Sequence, residues 1–321
     1  MRMSFAMLRL PRLMKESFVR VNLPVRQTGL SAVTQRSHAV QRTWFITGAS
    51  RGFGYEIARA ALRAGDRVAA TGRNLAALRR ALGADSDRLA SMQLDVRSAS
   101  EARAAVDDAV KRFGGIDVLV NNAGYGHLGF FEETTNEDLQ IQLATNLFGV
   151  LNVTRAVLPV MRSARRGRIF NLSSVAGLRG AEFSSLYCTS KFALEGFSES
   201  LSQEVIPFGI LVTLIEPGPF RTGFLAQESL HISANAIADY DERREKARAS
   251  FETRNGQQPG DPVKLAEALV RLANEDVPPM RLTAGAFAAR ALDRKLIDMR
   301  AELDKWQDVA LSMDYDGARK S

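Results

Sequence analysis

The chain of 321 residues has one cysteine, Cys188, so it can form no internal disulfide, and this usage fits a reducing compartment. Histidine is almost as scarce. His38, His127 and His231 are scattered, with no HExxH and no Cys/His cluster, which argues against a protein-bound catalytic zinc, and no metal site is expected. No run of eighteen uninterrupted apolar residues occurs, so no membrane-spanning helix is expected. Acidic residues are missing from the first 42 positions except for Glu16, while eight Lys and Arg fall there. Of the 43 basic and 36 acidic residues in the chain, the remaining 35 and 35 cancel. The net charge of +7 therefore sits in the N-terminal segment, and the neutral body gives no argument for a nucleic-acid partner.

Residues 1–42 are Arg-rich and acid-poor and contain some Ser and Thr, the composition of an organellar transit peptide, without the apolar core of a secretory signal. Two readings stand for them. One is a disordered basic extension or an upstream start on a cytoplasmic protein; the other is a targeting leader.

From Thr43 onward, short apolar runs alternate with longer amphipathic segments. Strands are predicted at 43–47, 67–71, 89–95, 117–121, 167–172 and 210–215, and helices at about 53–64, 74–82, 99–113, 136–162 and 187–206. Continuously apolar strands separated by helices indicate a parallel sheet covered on both faces, and right-handed crossovers make it doubly wound. The predicted fold class is α/β, a single Rossmann-like domain over 43–321 with helices on both faces of the sheet. The polar stretch 223–261 breaks this rhythm just after a glycine-proline turn at the binding edge, and reads as an irregular lid or substrate wall over a site, with a solvated surface helix and loops as the alternative. A helix at about 262–275, a short strand at 280–284 and a charged helix at about 287–309 follow, with fraying expected over the last residues.

The first strand runs into TGASRGFG, residues 47–54, and then into a helical pattern. Glycines at 48, 52 and 54 allow the backbone to approach a phosphate, and the helix start offers unpaired N–H groups and a positive dipole end. Thr47, Gly48, Ser50, Arg51, Gly52, Phe53 and Gly54 are thus candidate dinucleotide-binding residues. The spacing is Gly-x3-Gly-x-Gly, which would be weak by itself; its position between a strand and a helix, about twenty residues before a second strand, strengthens it. At the end of that second strand, where a carboxylate would hold the ribose of NAD(H), stand Gly72 and Arg73. Arg51 and Arg73 together suit a 2′-phosphate, so NADP(H) is expected ahead of NAD(H).

TGASRGFG, then NNAG (121–124), Asn146 in ATNLFG, Ser174 in NLSS, YCTSK (187–191) and EPG (216–218) resemble, in order, the motifs of single-domain short-chain dehydrogenases/reductases. The resemblance is close over about 43–225 and loose beyond. It implies a metal-independent oxidoreductase whose catalytic residues are Asn146, Ser174, Tyr187 and Lys191, with Asn146 holding a water in a proton relay to Lys191. It also implies that Asp95 lies beside the adenine ring, with Val96 next to it, and that Lys191 hydrogen-bonds the nicotinamide ribose. Ser173 could compete with its neighbour Ser174 for the catalytic role, but the resemblance, whose family spaces the serine thirteen residues before the tyrosine, implies Ser174.

The chemistry gives these spacings a reason. An unperturbed tyrosine, with a pKa of about 10, is a poor acid/base partner near neutrality. Lys191, four residues along a helix, lies on the same face as Tyr187, and its cation is expected to lower the phenol's pKa. Ser174 ends a strand, where its hydroxyl can stabilise charge on a substrate oxygen. Asn122, Ala123 and Gly124 are candidates to face the cofactor, Asn121 to support them, and Pro217, Gly218 and Thr222 to border the nicotinamide. Cys188 has no His/Asp set with it and is expected to be a bystander. Tyr125, Phe130, Phe131, Phe183 and Phe220 suggest an apolar pocket, although a place in the core suits some of them equally well.

The reading favoured by these residues is NADP(H)-dependent interconversion of a carbonyl and a secondary alcohol on a small hydrophobic substrate. A 3-oxoacyl-carrier-protein reductase is the alternative enzyme, although the basic cluster Arg162, Arg165, Arg166 and Arg168 falls at the sheet edge away from the site. A non-catalytic NADP-binding regulator would be expected to have lost Tyr187 or Lys191. Apolar faces on the helices at 136–162 and 187–206 suggest a homodimer or homotetramer.

Overall fold

The computed structural model describes residues 41–225 and 229–315. The basic segment over 1–42 lies outside these apart from Gln41 and Arg42, as do the last six residues. The chain order is β1 (Thr43–Ile46), α1 (Gly52–Arg63), β2 (Arg67–Gly72), α2 (Leu75–Leu82), β3 (Leu89–Gln93), α3 (Ala99–Phe113), β4 (Val118–Asn121) and β5 (Gly126–Leu128). There follow α4 (Asn136–Leu143), α5 (Gly149–Ala164), β6 (Gly167–Leu172), α6 (Ser185–Val205), β7 (Ile210–Pro217) and β8 (Leu230–Ile232). The chain closes with α7 (Asp241–Arg254), α8 (Pro262–Asn274), β9 (Arg281–Ala284) and α9 (Ala286–Leu311).

Seven strands form one parallel sheet in the order β3-β2-β1-β4-β6-β7-β9. The order reverses at β1, the point where open sheets of this kind bind ligands beyond their carboxyl ends. The two-residue period of each strand divides the core. Trp44 and Ile46 pack with α1 and α8 on one face, and Phe45 with α3, α5 and α6 on the other. Phe45 and Ile46 are fully buried, which is worth about 1.5–3 kcal/mol each. This double burial explains why the strands are continuously apolar, and the fold is the doubly wound α/β sheet expected.

Three features differ from expectation. The single helix expected over 136–162 is interrupted: α4 and α5 are joined by a π-helical turn, Ala144–Phe148, which turns Asn146 into the interior. By length and composition the run Asn136–Ala164 is apolar enough to cross a membrane, although no uninterrupted apolar stretch announces it. Part of that apolarity is core, since Val153, Val157 and Met161 pack under the sheet. Finally, the stretch 223–261 is less irregular than expected. It contains β8, which pairs in parallel with β5, and the helix α7. Arg244 pairs within the helix with Asp241 and anchors α7 by an ion pair to the fully buried Glu133, whose carboxylate also accepts from Ile237 N at 3.0 Å.

Candidate active site

A cavity of about 1720 Å³ runs along the carboxyl ends of the central strands. Single small-molecule sites usually occupy about 300–1,000 Å³, so there is room for a dinucleotide and a second molecule. Of the sequence-predicted residues, Gly48, Ser50, Arg51, Gly52, Phe53, Arg73, Asp95, Val96, Asn122, Ala123, Gly124, Ser174, Tyr187, Lys191, Pro217, Gly218 and Thr222 all line it.

Thr47, Gly54 and Asn146 do not line the cavity and lie behind its wall. Thr47 Oγ1 donates to Val120 O and accepts from the backbone N–H groups of Asn122 (2.9 Å) and Ala123 (3.0 Å), tying the end of β1 to the 121–124 turn. Gly48 takes a left-handed φ of 67°, which favours glycine. A Cβ at Gly54 would stand 2.5 Å from Gly48 O and 2.6 Å from Asn122 Nδ2, so only hydrogen fits where the helix start packs on the turn. The Asn122 side chain donates to Thr47 O (2.8 Å) and Gly48 O (3.1 Å). The glycine turn is thus held open from behind, with the start of α1 facing the cavity, and this arrangement fits a dinucleotide's phosphates.

At the outer end, no acid follows β2. Asp95, after β3, is gripped by Arg97, whose Nε and Nη2 reach its carboxylate at 2.6–3.0 Å and hold it below the usual carboxylate range. Arg97 itself lines the cavity. The sequence reading missed it because an Arg two residues from an Asp has no distinguishing pattern.

The reactive end centres on α6. Tyr187 and Lys191 share a face, with Lys191 Nζ 5.8 Å from the phenol ring centre. Although Tyr187 keeps some exposure to the cavity, the protein around it pushes its phenol up to about 12, opposed by a hydrogen bond from Ser174. This corrects the expectation that Lys191 lowers it. In the chain alone desolvation wins, because Lys191 is itself buried, is pushed down to about 8 by that burial, and donates to Leu172 O at 2.6 Å. The carboxylate of Glu195, one turn further along α6, works in the opposite direction and favours the ammonium.

Ser173 and Ser174 part company here. Ser173 donates to Glu195, a buried carboxylate that also pairs with Arg281, while Ser174 stays with the phenol. Asn146 gives Nδ2 to Tyr125 O (3.0 Å) and to Ser190 Oγ (3.1 Å), and accepts from Tyr125 N (3.1 Å). Its donors are committed to the scaffold, and it pins the 125 loop to α6. Asn121 bonds Thr154 and Asn171 in the core. Cys188 is a buried free thiol that desolvation pushes up. His127 is buried against Ser233 Oγ at 3.0 Å.

The second half of the cavity is walled by β8 and by one face of α7, from Arg243 to Arg254. Phe224 stands 5.6 Å from the Tyr187 ring, and Phe183, Phe220 and Phe251 add apolar surface. Phe131 instead is 71% exposed, and Phe130 does not line the cavity but stacks on Tyr240 in one cluster with the lining residues Phe183 and Phe251. Phe224 and Phe251 lie in the polar lid stretch, where isolated aromatics carry no periodic signal.

Comparison with known proteins agrees with this arrangement. The short chain dehydrogenase family profile matches residues 42–232. The chain is 36% identical to Oxidoreductase BOA17 of Botryotinia fuckeliana over 84% of this chain and 98% of that protein. It is 38% identical to a 3-ketodihydrosphingosine reductase of Bacteroides thetaiotaomicron over 75% and 86%. Among solved structures, a short-chain dehydrogenase from Streptomyces avermitilis superposes with a TM-score of 0.78 at 38% identity, covering 86% of this chain and all of that one. With the profile spanning more than half its length, this chain belongs to the short-chain dehydrogenase family of oxidoreductases.

Proposed function

We propose that the protein is an NADP(H)-dependent oxidoreductase that interconverts a carbonyl and a secondary alcohol on a hydrophobic small molecule. The observation that carries this is the convergence of Tyr187, Ser174 and Lys191 on the cavity that also holds the glycine turn. A nicotinamide bound there supplies or accepts the hydride. The chain's own residues manage the proton and the substrate oxygen. A phenol at about 12 is protonated at neutrality, so Tyr187 is poised to donate to an oxygen that gains charge. Ser174 beside it can hydrogen-bond the same oxygen, stabilising it as charge develops. Lys191, held by Leu172 O and tuned by Glu195, is the cation that favours phenolate when Tyr187 must accept a proton. Asn146 acts in this reading as a positioning residue for α6.

NADP(H) is favoured by Arg51 and Arg73 on the cavity wall and by the commitment of the nearest acid, Asp95, to Arg97. Reduction of a 3-oxoacyl chain has one observation in its favour: beyond Tyr187 the cavity continues along α7, where Lys246 and Arg254 offer cations beside Phe251. The arginine cluster at 162–168 does not support it, since Arg165, Arg166 and Arg168 bond Pro207 O, Asp117 and Glu275 O. Residues 1–42 are read as an extension on a cytoplasmic enzyme, and imaging with and without them tests this against organellar targeting.

The deciding experiment is a screen of ketones, aldehydes, alcohols and 3-oxoacyl thioesters with NADPH and NADH in parallel, repeated with Tyr187→Phe and Arg73→Glu. Turnover should fall by about 10²–10⁴ in Tyr187→Phe. Full activity in that variant refutes the proton-transfer role, and a higher kcat/KM with NADH throughout refutes the cofactor assignment.

A further inference from the structure

The helix α9 reaches the cavity only through Phe287 in its first turn, and Ala288 and Ala291 are buried. Every described residue from Leu296 onward is exposed. Its helical part, to Leu311, is about 24 Å long at 1.5 Å per residue. A helix of that length is marginal in water unless an apolar face is covered. Such a face exists: Leu292, Leu296, Met299, Leu303, Trp306 and Ala310 follow one another at steps of four and three. Leu296, Met299, Leu303 and Trp306 are 52–57% exposed.

Alternating steps of four and three make a 3.5-residue period, the narrow seam that faces another helix in a coiled coil. A helix lying on a lipid surface needs instead a broad apolar face and a polar face rich in Lys and Arg. The polar positions of α9 carry five basic and five acidic residues and so no net charge. Two of these pairs close within the helix, Arg294 with Asp298 at 2.9 Å and Arg300 with Asp304 at 2.8 Å. A neutral, internally paired polar surface gives no attraction to an anionic membrane, whereas it lets two identical helices approach without repulsion.

We infer that α9 is a self-association element: its apolar seam packs against the same seam of a second copy of this chain. The inference is independent of the catalytic reading, because α9 beyond Leu292 contributes nothing to the cavity.

The test is sedimentation equilibrium of the full chain over a range of concentrations, for the wild type, Leu296→Glu/Leu303→Glu, and Ile297→Glu, which is apolar and exposed but off the seam. Circular dichroism and dinucleotide titration check that each variant is folded. The seam variant should lose one step of association, a twofold fall in mass, while Ile297→Glu keeps the wild-type mass. Acrylamide quenching of Trp306 should rise in the seam variant, the other tryptophan, Trp44, being fully buried. A seam variant with wild-type mass at every concentration, or a wild type that is monomeric throughout, overturns the inference. So does flotation of the wild type with phosphatidylcholine/phosphatidylserine vesicles that the seam substitutions abolish without changing mass.

Discussion

Lys191→Met separates what the active site needs from what the fold prefers. Burial pushes the Lys191 ammonium from 10.5 down to about 8. At 1.36 kcal/mol per unit, the folded chain bears a cost of about 3 kcal/mol wherever the amine is charged in both states, that is, below pH 8. The sign follows from proton counts. Between pH 8 and the unfolded value the unfolded chain binds more protons, so wild-type stability rises with pH across that window and the cost disappears. Methionine fills similar volume with no charge, but leaves Leu172 O without its 2.6 Å donor, a loss of about 1–3 kcal/mol. Lys191→Met should therefore match or exceed wild-type stability at pH 7, by up to about 2 kcal/mol, and fall behind it by pH 10. Urea unfolding followed by circular dichroism, with both proteins measured from pH 7 to pH 10, reads the difference, and turnover should be lost in the variant throughout. Tyr187 does not disturb the comparison, because its neutral form prevails in both states below about pH 10. Parallel stability curves over the window would falsify the claim that Lys191 is held in the site against a desolvation penalty.

Glu195→Gln removes the carboxylate that favours the Lys191 ammonium, so the limb of the pH–kcat profile that tracks Lys191 should move to lower pH with little change in KM; an unmoved profile rules out this tuning. Gly54→Ala forces a Cβ to within 2.5 Å of Gly48 O, and should cost about 1–3 kcal/mol in thermal unfolding and weaken dinucleotide binding at least about tenfold; near-wild-type titration contradicts the turn geometry. Arg244→Met strands the buried Glu133 carboxylate, at a cost of about 3–5 kcal/mol. Hydrogen exchange in α7 and β8 should then accelerate ahead of the sheet, and uniform protection would mean that the lid is anchored elsewhere.

The sheet was legible in the sequence because burial on two faces forces continuous apolar runs such as TWFI and ILVTLI, whose short length and β-branched and aromatic content separate them from buried helices. The glycine turn was legible for a related reason, since Gly48 and Gly54 answer backbone demands that other residues cannot meet. The π-helical turn at Asn146 was not, because the hydrogen bonds its side chain makes reach a loop twenty-one residues away, and helical periodicity on either side is unbroken. Strands β5 and β8 have three residues each and pair over a separation of about a hundred positions, too little sequence for a period to register.

The pair that spacing identifies best, Tyr187 and Lys191, is also where reasoning from pairs alone misses the net direction, which desolvation sets. Four residues on a helix bring the two side chains to one face, and a pairwise view then makes the lysine an activator of the phenol. What the pairwise view omits is that both groups sit in the same low-dielectric wall: desolvation raises one and lowers the other, so each is driven toward its neutral form. Ser174 on the phenol and Glu195 near the amine oppose that drift. Under the proposed function the groups to consider are therefore four, Tyr187, Ser174, Lys191 and Glu195, with Ser173 bonded to Glu195, and the carboxylate that favours the Lys191 ammonium stands eight residues from Tyr187, outside any YxxxK pattern.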